Sequence, residues 1–518
     1  MLNGRPCLFS PACNHGQRES GSSDFRSSIL REVRDEDGEE VSEVAELEDD
    51  SSKAEDEEVG DEVEELERDG EVCEEDEEVA RFLPLEDVVE GLEGFRFFVY
   101  ADVVREGEGK YVVREALKFL NSPSSPLKTL ALAGRSPSKL SQTLSWSSSP
   151  SPPPPLPILQ ADVSDPPSLL SLSRRTRLLL NCVGPFRLHG QPVVAACVES
   201  GTDYLDITGE PEFMEKMEAL YHDKARKAGS LVISACGYDS VPAEMGLIFN
   251  SRQWVSPAAP NRVEAYLSLE SERKLVANFT SLESAVLVVA NVGQWQELRR
   301  SRPRRARPVI PGPPPPKGAI VEHQKSIGRW AVKLPSADPI VVRRTLASLA
   351  ENPDGLPGVN EDEDQIEKRK NFWAMVKPAH FGVKIVSKSL LGIVCYIFMG
   401  ILIGLFGTFA FGQSLLLKYP EIFTLGMFRK TGPTEEEVNS ATFKFTEIIT
   451  RVSGPEIGYV TTPIILLQCA LILLGERDKL PQGGVLTPGI VFCPTDLQNR
   501  LQQNGISFDI VARNALPA

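Results

Sequence analysis

Three short clusters in this 518-residue chain carry the residue types that could do chemistry: Asn181-Cys182-Val183-Gly184-Pro185, Asp206-Ile207-Thr208-Gly209, and Tyr238-Asp239-Ser240. An amide, two carboxylates and a phenol can all hydrogen-bond a bound molecule, and the phenol can also hand over a proton. Each cluster follows a short apolar run: Leu178–Leu180, Tyr204–Leu205 and Leu231–Ile233. Polar residues that follow three successive strands are placed at one sheet edge, and in open α/β sheets that edge is where ligands bind.

The elements between the clusters have α/β spacing. Gln191–Ser200 reads as a helix with Pro192 in its first turn and Gly201 at its stop. Pro211 opens the next helix and Gly229 closes it. Right-handed crossovers then make the strands parallel neighbours with their C-terminal ends together. The runs NCVGPFRLHGQPVVAACVESGTDYLDITGE and ISACGYDSVPAEMG, taken as they stand, resemble the saccharopine dehydrogenase-like oxidoreductase family, a plant mitochondrial member above all. The resemblance covers most of the chain from about Gly94. It implies a Rossmann-like NAD(P)-binding domain joined to an α+β domain, and hydride transfer at the strand edge. It also implies roles. Gly184 to Phe186 would flank the nicotinamide, Asp206 and Asp239 would orient the substrate, and Tyr238 is the candidate proton donor.

The cofactor residues follow from the same resemblance. Phe95–Tyr100 is the expected first strand, and a glycine-rich turn should follow it, so that the backbone can approach a pyrophosphate and a helix N-terminus can face it. Here only Gly109 stands where the family has glycine; Val103 and Glu106 occupy the other two positions. Either the cofactor site is weakened, or this segment comes from a mistaken exon boundary. After the second strand, Thr129–Arg135, the cations Arg135 and Lys139 and the lack of an acid favour NADP over NAD. Asp162, at the end of a third strand, would lie near the adenine or serve only as a turn acceptor. Asn181, Gly184 and Pro185 complete the expected cofactor contacts. His189 either faces the nicotinamide or bonds to loop backbone.

Charge divides the chain. Residues 35–78 hold 26 acids and two bases, a charge of −24, which leaves the remainder of this −18 chain at +6. Few apolar residues accompany those acids, so residues 1–90 are expected to form a disordered acidic extension. Arg5, Arg18, Arg26 and Arg31 among serines resemble a transit peptide, against Glu19 and Asp24. The nine cysteines show no metal spacing, and no metal site is expected.

Residues 91–250 are assigned to the dinucleotide domain, 251–480 to the second domain and 481–518 to a C-terminal piece that returns to the fold. Within the second domain, residues 389–412 are apolar and charge-free, long enough to span a bilayer or lie in its surface. Lys377, Lys384 and Lys388 precede the segment and could meet anionic headgroups. The arginines between Arg299 and Arg307 are read as a headgroup contact or a solvated loop. Ile464–Leu474 is too short to span and is expected in the core. Lys444–Glu447 stands where the family pattern has a Gly/Trp-containing strand region, so part of that sheet is expected to be missing. Nucleic acid is not expected as a partner, because the basic run lacks interleaved aromatics. Two functions follow. One is a membrane-associated NAD(P)(H)-dependent oxidoreductase on a small-molecule or lipid-related substrate, at a mitochondrial membrane or lipid droplet. The other is a non-catalytic membrane or droplet protein on a degenerate Rossmann scaffold.

Overall fold

The computed structural model describes residues 33–34, 40–41, 96–100 and 108–512, short of 121, 317 and 448–449. Residues 1–85 and 86–518 are separate units, and the second is described here. Of the acidic extension only residues 33–34 and 40–41 are described, and the turn at residues 101–107, with Val103 and Glu106, lies outside the described residues.

Six strands, β1 (Arg96–Tyr100), β2 (Thr129–Gly134), β3 (Ile158–Gln160), β4 (Leu178–Asn181), β5 (Asp203–Asp206) and β6 (Leu231–Ile233), form one parallel sheet. Their order is β3-β2-β1-β4-β5-β6, and Gly484–Leu486 adds a seventh parallel strand beyond β6. Chain direction across the sheet reverses between β1 and β4, where Tyr100 pairs with Asn181. This is the doubly wound arrangement whose crevice binds dinucleotides. The apolar runs suit it, because helices cover both faces: Leu178, Leu179 and Leu180 are fully buried.

The helices are α1 (Gly109–Phe119), α2 (Pro137–Ser148), α3 (Pro166–Ser173), α4 (Phe186–Ser200), α5 (Pro211–Ala228) and α6 (Val241–Ser251). Gly201 and Gly229 end α4 and α5 in the left-handed region, at φ +67° and +70°, where a Cβ is disfavoured. One expectation is corrected here. Helix α4 begins five residues before Gln191, so Pro192 stands inside it rather than in its first turn. The cause is a carboxylate cap on Phe186 and Arg187, described below.

The second sheet has seven strands in the order Val321–Gln324, Arg329–Lys333, His380–Ser387, Arg262–Ser271, Ala441–Glu447, Thr450–Pro455 and Ser507–Ile510. Only His380–Ser387 and Arg262–Ser271 run parallel. Lys444–Thr446 are strand residues paired on both sides and Glu447 pairs with Thr450, so the residues at the expected gap are themselves part of the sheet. Phe443 and Phe445 point into the core while their neighbours are less buried. The helix Thr462–Glu476 is buried from Thr462 through Leu474 and packs on α1, β4 and β5. It is the core helix expected from its length.

Candidate functional site

Asn181 ends β4 with no exposed surface. Its Nδ2 donates to the Tyr204 hydroxyl at 3.0 Å, and its Oδ1 accepts from the Val183 N–H at 3.0 Å. Asp206 ends β5, equally buried. Its carboxylate accepts from Thr208 N–H at 3.0 Å, Ala235 N–H at 2.9 Å and Ser234 Oγ at 2.9 Å. Burial outweighs those donors and lifts its pKa to about 6. Both side chains spend their hydrogen-bonding capacity on fixing the loops after β4, β5 and β6. They shape the edge from beneath it. Ala235, which Asp206 holds, has φ +63°, a conformation that costs a non-glycine residue and recurs at functional loops.

Glu210 was not singled out by sequence reasoning. It ends the Thr208-Gly209-Glu210 loop and is 2% exposed. Its carboxylate accepts from the Phe186 and Arg187 N–H groups at 2.9 and 2.8 Å. It thereby caps α4, whose N-terminal partial positive charge favours it. Ser284 Oγ also donates to it at 2.7 Å, from the helix Phe279–Ala290, which follows the strand Arg262–Ser271 of the other sheet. That helix also covers Gly184, where an added Cβ would come within 3.3 Å of the Thr280 methyl. Asn278 caps it, accepting from Thr280 N–H at 3.1 Å, and its Nδ2 donates to Glu108 at 3.1 Å. Glu108 immediately precedes α1. Burial pushes its pKa up to about 8, against the Asn278 hydrogen bond.

Tyr238 and Asp239 follow β6 and differ in setting. Asp239 is exposed, and its carboxylate lies over Gly209, where a Cβ would meet it at 2.5 Å. Tyr238 is 7% exposed, its ring edge-on to Phe443 at 4.9 Å, and its hydroxyl has no hydrogen-bond partner among the described residues. Burial, then the Asp338 and Asp239 charges, hold that phenol protonated well above the ordinary range. Its N–H donates to Thr462 Oγ1 at 3.1 Å, at the head of the core helix. Asp338 and Glu456 belong to the same group of charges and were also missed, since each arrives from a distant part of the chain.

At the adenine end Arg135 is exposed and Lys139 partly so, in the turn that starts α2. The Asp162 carboxylate accepts from Ser164 N–H and Oγ at 2.9 and 2.8 Å, the turn-acceptor role left open by the sequence. His189 lies in the first turns of α4 rather than in a loop, and its charge bears on Asp162. Arg187 is taken up by Glu212 and by Gln294, the latter at 2.6 Å. Gly109 is the first residue of α1. Gly184 and Pro185, joined by a cis peptide bond, precede α4.

Two membrane-facing assignments are corrected. Lys384 is buried between Glu264 at 2.9 Å and Glu322 at 2.8 Å, so it is paired within the protein. Arg299, Arg302 and Arg305 form neither a headgroup patch nor a solvated loop. They bind Glu215 and Glu218 on α5, and Arg305 also grips Glu351 at 2.6 Å.

Residues 109–233 match the saccharopine dehydrogenase NADP-binding domain. A "probable mitochondrial saccharopine dehydrogenase-like oxidoreductase" of Arabidopsis thaliana is 61% identical over 428 residues, covering 78% of this chain and 94% of that protein. The saccharopine dehydrogenase-like oxidoreductase of Rattus norvegicus is 31% identical, covering 83% and 98%. A "lipid droplet localized protein" of Caenorhabditis elegans is 28% identical, covering 79% and 98%. With these matches and the doubly wound parallel sheet, the chain belongs to the saccharopine dehydrogenase-like oxidoreductases.

Proposed function

We propose that this chain is an NADP(H)-dependent oxidoreductase acting on an apolar, lipid-related substrate while docked on a membrane or lipid-droplet surface. The observation that carries this reading is the double role of the helix Phe279–Ala290. On one side, Asn278, Thr280 and Ser284 touch Glu108, Gly184 and Glu210 at the strand edge. On the other, Val286 and Val289 meet Gly407, at the end of the helix Leu390–Gly407. That second helix is apolar along its whole length, yet only 11% of it is buried inside the protein, against 83% for Ile457–Lys479. One helix thus has the redox edge on one side and a large apolar surface on the other.

The residues present fit a dinucleotide under a stated condition. Arg135 and Lys139 suit a ribose phosphate. The N-terminus of α1 suits the pyrophosphate when Glu108 is neutral, which its pKa of about 8 provides at pH 7. Asn181 fixes the loop that leads to Gly184-Pro185, and Asp206 fixes the loops after β5 and β6. The bound cofactor would supply the hydride. Tyr238 would hold the proton that a reduced carbonyl or alkene needs, and Asp239 would orient the substrate from the solvent side. The named mitochondrial and lipid-droplet relatives support such a surface as the place of action.

NADPH fluorescence titration of the purified chain tests this. Saturable binding is expected, weaker than about a micromolar Kd because Val103 and Glu106 replace glycines. It should weaken further as pH passes about 8 and Glu108 ionises, and Arg135→Ala should weaken NADPH more than NADH. An absence of binding at every pH, with the chain folded, would remove the enzyme reading and leave a non-catalytic surface protein.

A further inference from the structure

A cavity of about 170 Å³ lies between the helix Leu390–Gly407 and the turn Thr424–Met427. Its lining is mostly apolar: Leu275, Cys395, Met399, Leu425 and Met427, with Lys274 as its cation. It opens onto the surface, and its mostly apolar lining favours a hydrocarbon occupant over water. Cys395 and Met399 lie on the flank of the helix next to the outward stripe of Val394 and Phe398, so the cavity borders the exposed apolar face. The opposite rim is part of the same face, because Ile422 and Leu425 are 71% and 56% exposed. Leu425 holds φ +52° and Gly426 φ +72°. A Cβ at Gly426 would collide with the Lys274 Nζ. The turn thus keeps its backbone bare under an ammonium group at the rim.

We propose that this pocket takes the headgroup-proximal part of one acyl chain of an anionic membrane lipid, with Lys274 meeting the headgroup and the rest of the chain lying along the exposed apolar face. The proposal rests on the docked reading above and adds a site to it. The chemistry fits on both counts: hydrocarbon walls for a hydrocarbon chain, and an exposed ammonium for an anionic group. Leu275 also lies only three residues before Asn278, and an extended chain covers that in on the order of 10 Å. Asn278 touches Glu108, so a lipid held here lies within a lipid's length of the redox edge.

The test uses the full chain with phosphatidylcholine vesicles containing phosphatidylserine, part of it carrying a diazirine in one acyl chain. Photo-adducts are expected on peptides containing Leu275, Met399 and Met427. Met399→Trp, which fills the cavity, should cut them about tenfold while the protein still floats with the vesicles. Lys274→Gln should cut them less. Vesicles should also protect Cys395 from maleimide, a reading on the unaltered chain that decides the matter if the Trp variant misfolds. Flotation with adducts confined to Val394 and Phe398, or unchanged by Met399→Trp, or with Cys395 unprotected, overturns the site and leaves docking standing. A chain that does not float overturns both.

Discussion

The Tyr238 hydroxyl is buried without a partner among the described residues, and a polar group in that position costs stability. A side chain kept for structure alone would be phenylalanine. Tyr238→Phe should therefore leave the melting temperature unchanged or slightly higher, while turnover falls by about 10²–10⁴, the range for a lost general acid. A large drop in melting temperature with binding and turnover intact would make Tyr238 structural. The buried acids give a second residue-level prediction. Burial raises Glu244 and Glu447 from an ordinary 4.5 to about 7. The folded chain then holds protons that the unfolded chain has released, so stability is highest below about pH 4.5 for these groups and is lost as pH rises through about 7. The urea midpoint should fall between about pH 5 and pH 8, and Glu447→Gln should shrink that fall. Of these residues only Tyr238 is singled out by the sequence, because it follows a strand. Glu210, Asn278 and Asp338 act through partners tens to hundreds of residues away, and local pattern does not contain them.

Elements were legible where a short-range rule governs them. The alternation of apolar runs with Gly-terminated helices yields the parallel sheet, since crossover handedness leaves little choice. The start of α4 was not legible, because its cap is Glu210, one strand and two loops away. The Arg299–Arg307 run was misread because its acids sit on α5 and Asp338–Glu351. A prediction at this scale follows from the cap. Glu210→Ala leaves two helix N–H groups and Ser284 without their acceptor, and should cost about 1–3 kcal/mol. Glu210→Gln keeps an acceptor oxygen and should recover part of that. Urea denaturation of both variants checks it. Equal losses would mean that the charge, rather than the acceptor, supports α4.

At the scale of the whole molecule, the sequence marks segment 389–412 as apolar and charge-free, long enough to span a bilayer or lie in its surface. The structure supplies the packing that bears on this. Ile393 and Gly407 are buried against the protein, while Leu391, Val394, Phe398, Ile401 and Leu405 recur every three or four residues on the outer side. A helix with one face committed to its own domain and the other in solvent fits a surface better than a bilayer crossing. Phe411 in the following helix and Ile422 widen the exposed face, and Lys388 and Lys418 are exposed at its two ends. The wild-type chain is therefore expected to float with neutral-lipid droplets and with anionic vesicles. Leu391→Glu with Leu405→Glu should release it into the soluble fraction without shifting its melting temperature, since neither side chain is packed inside. The single core change Ile393→Glu should instead unfold that part of the domain. A wild-type chain that is monodisperse in water without detergent and ignores both lipids would show that this face meets protein rather than lipid.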